Sequence, residues 1–194
     1  MNDRYAEIEV TKHIIEKYVE MQKYEYEHWI KQARTEANHL SNSIDSQIAE
    51  NRVKNLSICS EVLERSVSNY KSGMELLGLF EKIEKLYQSS KDKDENIKTA
   101  NRLYYDIYNR ADFKRIMSER AYELYLCGDE HITDLGTNYA VKADKLFEEY
   151  TNGKITQEQM IFYDKMCLFL INNPYYRQHV GITPIEEDSE QMKF

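Results

Sequence analysis

The sequence predicts an all-α fold: a long antiparallel helical hairpin with a coiled-coil-like seam, followed by a C-terminal bundle of shorter helices. Three observations predict it. Only 6 glycines and 2 prolines occur in 194 residues, too few for a strand-rich chain, which needs a turn about every 8–12 residues. Residues 1–72 contain neither type. Their apolar residues recur at spacings of three, four and seven, the beat of a helix face.

The first helix carries two apolar stripes. One runs through Ile8, Ile15, Val19, Tyr26, Ile30, Ala33, Ala37, Leu40, Ile44 and Ile48. The other, Ile14, Tyr18, Met21 and Trp29, lies to one side of it. A helix apolar on two sides either enters a groove between two helices or buries one side in a second copy, so a homodimer is expected. Ser41-Asn42-Ser43-Ile44-Asp45-Ser46 is the first weak point, because Ser, Asn and Asp compete with the backbone for hydrogen bonds. The chain is expected to turn within 41–55 if it turns at all.

The second helix carries Leu56, Cys59, Leu63, Val67, Tyr70, Met74 and Leu77 at seam-like spacing. The polar run 89–96 reads as a linker. This divides the chain into a hairpin (1–90), a linker (91–96), a short-helix bundle (97–184) and a disordered acidic tail (185–194), with 1–184 as a single domain the alternative. In the bundle, helices are expected from about Ile97 to Arg110, from Asp112 to a stop at Gly128, and over about 135–151 to Asn152-Gly153. Thr156 with Gln159 forms a capping box, and Pro174 can open a terminal helix.

Composition bounds function. The net charge is −8, spread over both halves: 12 basic and 15 acidic residues in 1–90, 14 and 19 in 91–194. Without a basic block, direct nucleic-acid binding is disfavoured, since phosphate contacts dominate that affinity. A protein partner with a basic surface fits better. No apolar run reaches the ~18 residues of a membrane span. The beginning Met1-Asn2-Asp3-Arg4 lacks the regions of a signal peptide, and the 3 cysteines are scattered, so a cytoplasmic protein with reduced thiols is expected.

No residue pattern points to catalysis or to a cofactor. Glu25/His28 and Glu36/His39 match half of a di-iron helix motif. Their histidines stand about 16 Å apart along a helix and face outward, so no metal is expected there. Cys127, Asp129, Glu130 and His131 form the densest run of ligand-type residues, but the spacing fits no zinc site. Cys59 and Cys167 lie in apolar surroundings and read as unreactive core.

Tyrosine is the unusual component, with 16 residues. An apolar ring with a polar tip suits interfaces, although an AT-rich coding sequence would enrich Tyr together with Asn, Lys and Ile. The candidate protein-contact residues are Tyr18, Met21 and Trp29 on the first helix, and Arg102, Tyr104, Tyr105, Tyr108 and Arg110 further on. The expected function is therefore a non-enzymatic interaction protein: a regulator, adaptor or inhibitor of a protein complex, with a bacterial or phage accessory protein as a special case. The alternative is a helical ligand-sensing domain, its aromatic pocket drawn from 104–125 and 147–169.

Overall fold

The computed structural model describes residues 3–43, 45–89, 92–133 and 139–179. These residues form α1 (Asp3–Ser41), α2 (Ser46–Gln88), α3 (Lys93–Tyr108), α4 (Ala111–Leu126), α5 (Glu130–Thr133), α6 (Tyr139–Thr151), α7 (Gln157–Asn172) and α8 (Pro174–His179). No strand occurs among the described residues. The all-α expectation and the long hairpin hold: α1 and α2 pack closely, and the shorter helices follow. The expected acidic tail, and Ile44 of the first stripe, lie outside the described residues.

Local chemistry sets the helix ends. Ser41 Oγ and Asn42 Nδ2 donate to the Asn38 carbonyl, and Ser43 Oγ to that of His39, each at 2.8 Å. These bonds satisfy carbonyls that a helix end leaves open. Asp45 then caps α2, accepting from the Gln47 and Ile48 N–H groups at 2.8 and 3.2 Å. The turn therefore falls inside the polar run. α3 begins at Lys93 rather than near Ile97, so the helix takes in residues read as linker. Asp94 and Glu95 occupy its first turn, where the helix dipole favours carboxylates. Gly128 (φ 77°) and Gly153 (φ 71°) follow α4 and α6 in the left-handed region. The capping box on α7 is formed, and Pro174 opens α8.

The chain divides into two compact units. The hairpin unit comprises residues 12–116: most of α1, all of α2 and α3, and the start of α4. The terminal unit comprises the first residues through Thr11 and the chain from Met117 onward.

In the hairpin unit, α1 and α2 run antiparallel. Lys12 Nζ meets Glu84 Oε1 at 2.7 Å, Asn69 Nδ2 donates to Gln22 Oε1 at 3.2 Å, and Arg52 Nη1 meets Glu36 Oε2 at 2.8 Å. As one number rises the other falls, which fixes both direction and register. At one end of this seam Ile14, Ile15, Tyr18 and Val19 are buried with Leu76, Phe80 and Ile83. Each such side chain contributes about 1.5–3 kcal/mol when withdrawn from water. α3 packs on α2, with Phe80 against Tyr104 (ring centroids 6.2 Å apart) and Tyr87 Oη donating to Asn101 at 2.8 Å. Tyr104, Tyr108 and Phe113 continue this ring packing.

In the terminal unit, Met117, Ala121, Ile132, Leu146, Met166 and Leu170 form the core. Lys165 is buried and reaches Glu7 Oε1 at 2.7 Å. Tyr139 Oη donates to Asp164 at 2.5 Å, tying α6 to α7.

Candidate functional site

The seam of the hairpin is not the apolar line of α2. The buried residues of α2 are Cys59, Ser66, Asn69, Gly73, Leu76, Phe80 and Ile83. They follow heptad spacing; Cys59 is shared with the seam read from the sequence, but from Ser66 onward they stand one line over from it. Leu56 and Leu63 are only half-buried. Val67, Tyr70 and Met74 are exposed, at 37%, 37% and 45%.

Size and hydrogen bonding explain the shift. A Cβ on Gly73 would run into Val19 Cγ2, so glycine is what lets α1 approach α2 there. Ser66 Oγ donates to Glu25 Oε2 at 3.4 Å. Asn69 accepts from Arg115 Nη1 at 2.7 Å while donating to Gln22. Arg115 also donates to Tyr18 Oη at 3.4 Å. Beyond Gly73 the seam is thus a chain of matched polar groups. Buried polar groups are tolerable only when matched, and here each of these has its partner.

At the far end Glu36 is buried against Arg52. The Arg52 guanidinium holds the Glu36 carboxyl below its ordinary range, aided by Asn55 and opposed by burial. At the base of the unit Arg110 holds Asp112 below its ordinary range in the same way, against the opposing effect of burial.

With polar residues inside, apolar residues face out. Tyr26 and Ile30 of α1 and Leu63 and Val67 of α2 line one groove. An adjoining hollow of about 390 Å³ takes in Tyr26, Val67 and Tyr70 and has an almost wholly apolar wall. Val53, 55% exposed, extends the line towards the tip. The charged groups lining the groove are Lys23, Glu27, Glu64 and Lys71.

The residues singled out from the sequence are dispersed. Tyr18 is fully buried and Tyr104 is 3% exposed, so both serve the core of the hairpin unit. Ile14 and Tyr18, the first two residues of the second stripe of α1, are buried. Met21 and Trp29 are half-buried, and Trp29 meets the His28 ring edge-on. Arg102 and Tyr105 are exposed, Tyr105 at 67%. Tyr108 packs on Phe113, and Arg110 is held by Asp112 at 2.7 Å. Tyr26, Ile30, Leu63, Val67 and Tyr70 were noted in the sequence as stripe or seam residues, whereas Val53 and the charged groups of the groove were not singled out. Ser66, Asn69 and Gly73 at seam spacing were the available signal.

Glu25 and Glu36 point their carboxylates into the seam while His28 and His39 are exposed. Among the described residues no three His, Cys, Asp or Glu side chains are grouped so as to hold a metal ion. In the terminal unit the His131 ring stacks on Tyr163 (centroids 4.2 Å apart) and lies 3.5 Å from Glu149. Cys167 donates to the His131 carbonyl, and burial pushes its thiol up to about 12. This unit also carries a cleft of about 920 Å³ lined by Arg4, Glu7, Phe147, Tyr150, Met160 and Lys165 among others. Phe147, Tyr150 and Met160 come from one half of the aromatic pocket expected from the sequence. No helix among the described residues is long and apolar enough to cross a membrane.

No family model, curated protein or solved structure matches the chain.

Proposed function

We propose that this chain is a non-enzymatic protein-contact module, a regulator, adaptor or inhibitor, that works through the arm formed by the far parts of α1 and α2. The observation that carries this reading is the outward apolar line Val53–Leu63–Val67–Tyr70–Met74 beside Tyr26 and Ile30. The hairpin leaves Val53, Val67, Tyr70 and Met74 exposed and Leu63 half-covered while it buries Ser66, Asn69 and Gln22. A contiguous exposed apolar face of this kind marks an interaction surface. An acidic chain of net charge −8 adds a preference for partners with basic rims.

Site-specific photo-crosslinking tests it. A crosslinker at Val67 or Met74 should capture protein, whereas one at Glu81, exposed on α2 beyond the line, should not. Equal capture at both positions would remove the reading.

A second reading rests on the cleft of the terminal unit, whose volume and half-exposed aromatic wall suit a small organic ligand. A metabolite screen that raises the melting temperature by several degrees, and fails to do so in Phe147→Ala, would support it.

A further inference from the structure

We infer that the occupant of the arm is a second copy of the chain, docked antiparallel about a two-fold axis near Val67 so that two hairpins form a four-helix bundle. This rests on the protein-contact reading and names its partner.

The first argument is charge. The Gln22–Asn69 and Glu25–Ser66 bonds fix which residues of α1 and α2 stand level. In that register Lys23 and Lys71 lie on one side of Val67 along the arm, and Glu27 and Glu64 lie on the other. All four line the groove and are exposed, and none has an ion-pair partner among the described residues. The groove therefore has a basic end and an acidic end. A two-fold rotation about its middle lays each basic end on the acidic end of the other copy. A parallel arrangement would set like charges together.

The second argument is spacing. Leu63, Val67, Tyr70 and Met74 are four, three and four apart. An antiparallel copy turned about Val67 sets Val67 against its own counterpart and Leu63 beside Tyr70, in both directions at once. This is the self-complementary pattern a two-fold interface requires.

The third argument is area. Residues 53–74 span about 32 Å of helix, and two adjacent helices are about 20 Å wide, giving roughly 640 Å² per copy. Stable interfaces use about 800 Å² per partner, so an arm of this length approaches what a dimer needs.

The test is solution mass by light scattering of the full chain and of two double variants, with helix content and melting temperature recorded for each. The natural chain should be a dimer. Glu27→Lys with Glu64→Lys makes both ends basic, and Lys23→Glu with Lys71→Glu makes both ends acidic. Each double variant alone should dimerise at least about tenfold more weakly, and an equimolar mixture should recover the dimer as a heterodimer. Val67→Glu should give a folded monomer. A natural chain that is monomeric at high micromolar concentration overturns the inference, as does a dimer indifferent to all these changes. The two readings then separate: crosslinks from Val67 to another protein in a monomeric chain would leave the protein-contact reading standing and remove only self-pairing.

Discussion

The two ends of the α1–α2 seam are built on opposite plans. Near the base, Ile15, Tyr18 and Val19 meet Leu76, Phe80 and Ile83, and the seam holds by withdrawing carbon from water. Towards the tip, Gln22, Glu25 and Glu36 meet Asn69, Ser66 and Arg52, and the seam holds by matching hydrogen bonds and charge. Matched polar pairs add only about 0.5–1.5 kcal/mol each, so the tip gains little stability from its own seam. Its apolar side chains sit outside, where only another molecule can cover them. The base is held mainly by buried carbon and the tip mainly by matched polar groups.

The base should give the largest response to mutation. Phe80→Ala removes a fully buried ring and should cost about 3–5 kcal/mol in urea unfolding. Asn69→Ala strips Gln22 and Arg115 of a partner and should cost about 1–3 kcal/mol. Gln22→Leu with Asn69→Leu replaces both members of that pair by carbon and should recover only the Gln22 share of the loss, since Arg115 still lacks its bond to Asn69. If Asn69→Ala proved as damaging as Phe80→Ala, the tip seam would be a stabilising core and the contrast would fail.

This contrast also explains what the sequence could reveal. Element existence was legible because period 3.6 is imposed on whole helices, and the polar run 41–46 was legible as a weak point because capping is local chemistry, although whether and where the chain turned within 41–55 was not. The line of α2 that enters the seam was not legible. Lines 59–66–73 and 63–67–70–74 have equivalent spacing, and hydrophobicity favours the second. The choice depends on how closely two backbones approach at Gly73 and on partners 47 residues apart in Gln22 and Asn69. Neither is written in any one segment. For the same reason Tyr18, apolar and periodic like any contact residue, proved to be sealed inside the hairpin unit. Val67, Tyr70 and Met74 were visible as a periodic line but were read as seam, and they are exposed.

Acid should act on the tip. Glu36 is held below its ordinary carboxyl range by Arg52. Its contribution is present above the unfolded-state value, about 4.3, and is lost as pH falls through the lower folded value. Melting followed between pH 6 and pH 3 should therefore decline more steeply in the natural chain than in Glu36→Gln. Alkali should act at the base. Lys12 is held above its ordinary value by Glu84, so its contribution is present below about 10.4 and fades as pH rises through the folded value. Lys12→Met should flatten that limb alone.

The smallest effect is one of local opening. Cys59 is buried in the tip seam, Cys167 is buried in α7, and Cys127 is exposed. A thiol reagent should label Cys127 at once. Cys59 should follow through fraying of the hairpin tip, since regions with few buried apolar contacts open at lower free energy than the whole. Cys167 should come last, because burial both covers its thiol and pushes it up to about 12, leaving little thiolate to react. If the tip is covered by a second copy, Cys59 labelling should slow as protein concentration rises while Cys167 labelling stays constant. Concentration-independent labelling of Cys59 would show that whatever covers the arm is not this chain.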